Sequence, residues 1–223
     1  MKSYIFFILA GYLCGSILFA WILPRIFWGV DTREKGSDHN PGTANAFLLC
    51  GSVCGSLVLL LELGKGFLPV FLAGKCLHPR SRTEELLFAL AAAAPVAGHA
   101  WPVFSFGKKG GKGIAVSFGV FLGLFMEPGP LRLLVFFYLL FSLAVQVNPH
   151  GLRTVLTYAC VMAGVWFAAH WRPAILAACL TGGIVILRNL RSALEEKPQI
   201  CVLPMIESRY FRKVKEEQED RKL

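Results

Sequence analysis

The sequence has little charge: of 223 residues only 17% are Asp, Glu, Lys or Arg, and just 14 are acidic. Soluble domains carry roughly a quarter, so a chain with this deficit and 55% apolar residues excludes an ordinary water-exposed globule. Metal-ligand pairs are missing too. None of the seven cysteines stands in a CxxC pair or beside a histidine at a zinc spacing, which leaves buried, unreactive thiols and no metal site as the reading. The net charge of +9 comes without a basic stripe interleaved with aromatics, so nucleic acid is not an expected partner. No period-two alternation runs through the apolar segments, which excludes a membrane barrel, and no internal repeat supports a transporter built from two halves. The first apolar run lacks a small-x-small cleavage site and reads as a span, not a leader.

What the chain has instead is apolar runs, at residues 4–28, 47–73, 86–106, 114–125, 131–147, 152–171 and 173–187. About 20 residues cross a hydrocarbon layer as helix, so these runs predict an all-α, multi-pass membrane domain of seven spans over residues 1–193, with a charged, solvated tail at 194–223. The fourth run is short for a full crossing. Lys and Arg decide the orientation. Arg25, Arg33, Lys35, Lys108, Lys109, Lys112 and Arg153 fall with the basic tail, against Lys2, Lys75, Arg80, Arg82, Arg132 and Arg172 on the other side. The first group marks the cytoplasm, which places the amino terminus outside and the carboxyl terminus inside.

Two glycine-rich connections then share the cytoplasmic face. The first, residues 29–45, holds Arg33, Ser37, Asn40, Gly42 and Asn45 among small polar residues. These suit turns, and their backbone N–H groups equally form nests for an anion. The second, residues 99–115, contains Gly110-Gly111-Lys112-Gly113 directly before an apolar run. A helix amino terminus, a point charge and an unobstructed backbone coincide there, although the GxxxxGK[ST] spacing of a P-loop is absent. Within the second run Glu62 and Lys65 share a helix face; ionisable groups at membrane depth pair internally or line a site, and the pattern leaves both open. His99, at a membrane boundary, could orient a hydroxyl, accept its proton or only satisfy a loop carbonyl. His170, beside Trp171 and Arg172, reads as interfacial and structural.

Taken in order, Gly15-Ser16-Ile17, Gly36-Ser37, Asn40-Pro41-Gly42 with Asn45, Gly51, Lys65-Gly66, Gly98-His99 with Pro102 and Phe104, and Gly110-Gly111-Lys112-Gly113 with Ala115 carry a resemblance. The chain resembles the acyl-phosphate:glycerol-3-phosphate acyltransferases, small integral membrane enzymes of bacteria. The resemblance implies seven helices in the inner cell membrane and transfer of a fatty acyl group from acyl phosphate to glycerol 3-phosphate. Lysophosphatidic acid and phosphate are the implied products, in phospholipid biosynthesis. It also implies a monomer among membrane lipid, with no cofactor, metal or acyl-CoA. His99 and Lys112 become the catalytic candidates. Arg33, Ser37, Asn40, Gly42, Asn45, Lys65, Gly110, Gly111, Gly113, Arg188 and Asn189 become candidates for binding substrate.

Some positions depart from the family pattern. Asp38 and His39 separate Ser37 from Asn40, Thr43-Ala44 is reversed, Leu48 replaces an Arg, and Glu62 stands for an Asp. The family's H-R-x-N-I-x-R is matched only by Ile186-Leu187-Arg188-Asn189-Leu190-Arg191, without its histidine. Two competing readings are a non-catalytic homologue that binds lipid phosphate and a small transporter of a phosphorylated metabolite.

Overall fold

The computed structural model describes residues 1–36, 39–105, 110–195 and 197–202. Along these run α1 (Lys2–Gly15), α2 (Phe19–Trp28), a one-turn α3 (Thr32–Lys35), α4 (Thr43–Cys76) and α5 (Arg82–Ala100). They are followed by α6 (Ile114–Gly123), α7 (Gly129–Leu139), α8 (His150–Ala168) and α9 (Arg172–Leu194). Among the described residues, five segments are long and apolar enough to cross a membrane: Lys2–Trp28, Thr43–Cys76, Arg82–Ser105, His150–Ala168 and Arg172–Leu194. The apolar helices Ile114–Gly123 and Gly129–Ala144 are shorter. Each of the seven apolar runs thus contains helix, while the length of a full crossing is met by five.

Two runs depart from a simple rod. The first breaks between α1 and α2 at Ser16–Leu18, where the Ser16 hydroxyl turns back to donate to the Tyr12 carbonyl at 2.8 Å. The second, α4, has 34 residues, which as a straight helix would reach about 51 Å at 1.5 Å per residue, well beyond about 30 Å of hydrocarbon. It bends at Gly51, whose φ of 79° and ψ of −178° suit only glycine. The bend turns the first two turns of α4 away from the line of the span.

The expected all-α fold gains one element, an antiparallel ribbon. Val145–Asn148 (β1) pairs with Gln199–Val202 (β2), Val145 opposite Val202 and Asn148 opposite Gln199. Val145 and Val147 alternate with Gln146 and Asn148, a short period-two pattern of β-branched residues. Pro149 biases the residue before it toward extended backbone. The ribbon therefore ends the fifth apolar run and ties residues 199–202 of the tail to the helical domain.

The helices pack as α1 on α5, α4 on α6, α5 on α9 and α8 on α9. Lipid gives no hydrophobic reward for joining two helices, so close contact between small residues must do so. A Cβ on Gly15 or Gly98 would overlap the Pro95 or Tyr12 carbonyl across the α1–α5 seam. One on Gly66 or Gly119 would overlap the Val116 or Leu63 carbonyl across the α4–α6 seam. Val70, Phe88, Val96, Val116, Phe121, Tyr158, Val161 and Val185 form the buried core between these pairs. Phe27, Phe167 and Leu187 face outward with most of their surface exposed, as lipid contact requires.

Beyond the carboxyl end of α6, buried Glu127 joins two helix starts. Its carboxylate accepts the His170 N–H at 2.8 Å, the Trp171 N–H at 3.1 Å and the Gly129 N–H at 3.4 Å. Burial alone would raise its pKa, but these N–H groups outweigh it and hold the carboxyl below its ordinary value. His170 enters this joint through its backbone.

Candidate functional site

The break in the first span leaves backbone groups without helical partners, and α4 supplies partners for them. Glu62 Oε1 accepts the Ala20 N–H at 3.2 Å near the start of α2, and Lys65 Nζ donates to the Ile17 carbonyl at 2.6 Å. Glu62 and Lys65 form an ion pair of 2.8 Å, with both side chains 1% exposed. His99 of α5 completes the cluster, its Nδ1 3.0 Å from Lys65 Nζ and 3.2 Å from Glu62 Oε2. An ammonium carries three protons. Here they find three acceptors, the Ile17 carbonyl, Glu62 and His99 Nδ1. His99 Nδ1 is that third acceptor in the tautomer with its proton on Nε2, whereas a proton on Nδ1 is donated to Glu62 Oε2; in either form Nε2 is the atom pressed against Gly111, where any Cβ would overlap the ring.

Beside this cluster lies a cavity of about 320 Å³. The start of α4 lines it with Gly42, Thr43, Ala44 and Asn45, the start of α6 with Lys112, Gly113, Ile114 and Ala115, and the start of α8 with His150. Asn40, Glu62 and His99 add polar wall, and Leu59 and Phe118 add apolar wall. The three N-cap residues are Gly42, Gly113 and Pro149, and none caps with a side chain. None of the three carries a side-chain oxygen that could. Three helix amino termini, each with first-turn N–H groups and a partial positive charge, therefore meet one space beside a lysine. Gly113 takes φ of 83°, a left-handed conformation that glycine adopts without cost.

The glycine-rich loop is held from behind by α9. Arg188 Nη2 donates to the Gly110 carbonyl at 2.8 Å and its Nε to the Gly111 carbonyl at 3.3 Å. Asn189 Nδ2 donates to the Lys112 carbonyl at 3.3 Å and to Val185 at 2.8 Å. The first loop is fixed by its own amides. Asn45 Nδ2 donates to the Asn40 carbonyl at 2.7 Å, and Gly36 leaves room for the Asn45 amide. Asp31 caps α3, accepting the Arg33 N–H at 2.9 Å and the Trp21 Nε1–H at 3.0 Å. Burial pushes the Asp31 carboxyl up, but those two bonds with Arg25 and Arg33 bring it below its ordinary value. Burial pushes the Arg33 guanidinium down.

Of the residues singled out in the sequence, His99, Lys112, Asn40, Gly42, Asn45 and Gly113 line one cavity. Gly110, Gly111, Arg188 and Asn189 form the loop and its brace. Lys65 sits in the buried ion cluster, held by the Ile17 carbonyl, Glu62 and His99. Arg33 lies over the Trp21 ring at 4.3 Å and lines a separate cavity of about 160 Å³. Ser37 lies outside the described residues. The sequence reading missed Thr43 and His150 in the cavity wall, and the bond from Glu62 to α2. A signal for His150 was present: Asn148-Pro149 directly ahead of an apolar run is a helix-start pattern.

A family model described as glycerol-3-phosphate acyltransferase matches residues 5–195. The glycerol-3-phosphate acyltransferase of Solidesulfovibrio magneticus is 35% identical over 185 residues, covering 82% of this chain and 86% of that protein. Among solved structures, the fold is similar to PlsY (YgiH), an integral membrane glycerol 3-phosphate acyltransferase, in its glycerol 3-phosphate form. The TM-score is 0.72 at 29% identity, over 85% of this chain and 90% of that one. The lysophosphatidic acid form of PlsY gives 0.69 at 25% identity, over 85% and 89%.

Proposed function

The chain belongs to the glycerol-3-phosphate acyltransferase family, and from that premise we propose that its acyl donor is acyl phosphate and its acceptor a hydroxyl of glycerol 3-phosphate. It is a multi-pass integral membrane protein with apolar helices of spanning length. The observation that carries the proposal is the meeting of three uncapped helix starts and Lys112 at a cavity with both polar and apolar wall. Two phosphorylated substrates, one with a fatty tail, need that combination.

In the reaction the hydroxyl oxygen bonds to the acyl carbon, the bond from that carbon to the phosphate oxygen breaks, and phosphate leaves with the electron pair. The hydroxyl proton leaves with the departing phosphate as the net result. An acyl phosphate is a mixed anhydride with a good leaving group, so alignment of hydroxyl and carbonyl supplies much of what is needed. Lys112 and the helix-start N–H groups stabilise charge on the carbonyl and the leaving phosphate. His99 presents Nε2 at the glycine-rich loop, oriented by Lys65 through Nδ1. Lys65, Arg188 and Asn189 act as positioning residues. The cavity, the basic connections and the tail face the cytoplasm of a bacterial inner membrane in this reading, with a monomer as the working unit.

Purified protein in detergent, given palmitoyl phosphate and glycerol 3-phosphate, should form lysophosphatidic acid detectable by mass spectrometry. Product formed only from palmitoyl-CoA overturns the donor assignment. No product from either donor, with glycerol 3-phosphate still bound, makes the chain a non-catalytic homologue. Single cysteines at Ser81 and Lys197 in a thiol-free background should label from opposite sides of the membrane.

A further inference from the structure

We propose that His150 contacts the phosphate group held in the cavity, adding an imidazole from α8 to the charge of Lys112; the assignment rests on the functional reading above. His150 lies outside both glycine-rich connections, yet it shares the wall of the same cavity with Lys112, Asn40 and Asn45. It is the first residue of α8, exposed, and preceded by Pro149, whose side chain has no oxygen to cap the helix. An anion there meets the helix start and the ring together. Neutral imidazole offers one N–H and imidazolium two, so the ring donates to a phosphate oxygen in either form.

The backbone that presents the ring is pinned on three sides. The His150 carbonyl accepts the hydroxyl of buried Thr154 at 2.9 Å. Arg153 reaches back to the Val147 carbonyl at 3.0 Å and to Asn148 Oδ1 at 3.1 Å. The β1 strand just ahead is paired with β2, Val147 against Ile200. A side chain on so fixed a support keeps its geometry when substrate arrives. The other elements add no equivalent group: His99 has its Nδ1 against Lys65 and Glu62, α9 sends Arg188 and Asn189 to loop carbonyls, and among the described residues no α9 side chain lines the cavity.

The phosphate could be that of glycerol 3-phosphate or of acyl phosphate. Calorimetric titration of full-length wild type, His150→Ala and His150→Asn with inorganic phosphate, glycerol 3-phosphate and a non-hydrolysable acyl phosphonate separates the two. Loss of one hydrogen bond to a charged group should weaken inorganic phosphate about tenfold in His150→Ala. The same loss should appear for whichever phosphorylated compound sits at that end. His150→Asn, which keeps an N–H donor, should recover most of it, and unfolding temperatures should stay level. Unchanged affinities in His150→Ala overturn the assignment, whether or not the unfolding temperature falls, and so does a wild type that binds none of the three probes. Wild type that binds phosphate through His150 yet forms no lysophosphatidic acid removes the functional reading and leaves this one standing.

Discussion

Lys65→Met separates a buried structural cation from a substrate ligand. The ammonium satisfies the Ile17 carbonyl, Glu62 and His99, and its removal leaves a carboxylate 1% exposed with no cation. Breaking a buried pair by deleting one partner costs about 3–5 kcal/mol. At about 2–4 °C per kcal/mol for a chain of this size, the unfolding temperature should fall by about 10 °C. Fluorescence-monitored thermal unfolding in detergent reads this directly. The double variant Glu62→Leu/Lys65→Met removes both charges and should recover more than half of the loss, because non-additivity of that kind marks a true pair. Lys65 does not line the cavity but contacts Glu62 and His99, which do, so inorganic phosphate affinity measured well below the transition should fall only through them, by less than about tenfold. A single variant within about 2 °C of wild type, losing phosphate binding a hundredfold, refutes the assignment and puts Lys65 on the substrate.

Lys112→Ala should lower acyl transfer by about 10²–10³ while the protein still folds, the usual loss for one preorganised charge donor; Lys112→Arg should recover part of it, and wild-type turnover in Lys112→Ala refutes the site. Gly111→Ala forces a Cβ into the His99 ring and should cost turnover and stability together, whereas Gly64→Ala, with open space around its Cβ, should be neutral or stabilise by about 0.5–1 kcal/mol. Glu127 has a folded pKa below its unfolded one, so its contribution is fully present above the ordinary carboxylate pKa and is lost as pH falls through the folded value. Glu127→Gln should therefore lower the unfolding temperature at neutral pH, with the gap from wild type closing in acid; parallel curves across that range contradict the bonding described.

The helices were legible because lipid demands continuous apolar runs, and their ends were legible where glycine, proline or lysine interrupts the run. The ribbon was not, since β1 finds its partner in the tail and four alternating residues at the end of a run carry little local signal. The Glu62–Lys65 pair could be seen from its spacing. Its task could not, because Ile17 and Ala20 belong to a different span whose break is a tertiary feature. Lys112 between glycines before a helix start is, by itself, only a weak local signal for an anion site. That two more helix starts, at Gly42 and Pro149, reach the same cavity depends on the bend at Gly51 and on how α8 is set by the ribbon. Local pattern holds neither.

The positions where the chain departs from its family's pattern show what the cavity depends on. Leu48 is 78% exposed and is not part of the cavity wall, so that departure leaves the wall described here intact. Thr43 and Ala44 both line the cavity; reversing them moves a hydroxyl about 100° around the first turn of α4 without removing it from that turn. At the carboxyl end, Arg188 and Asn189 hold the carbonyls of Gly110, Gly111 and Lys112, a brace that needs no imidazole. In the proposed site, the groups that would hold an anion are thus distributed over backbone N–H groups, one lysine and the start of α8. Substituting side chains at a few motif positions leaves the N–H groups where they are. On the proposed function, anion binding is accordingly the property most resistant to these departures, and alignment of the acceptor hydroxyl, which would rest on single side chains, is the one they can alter.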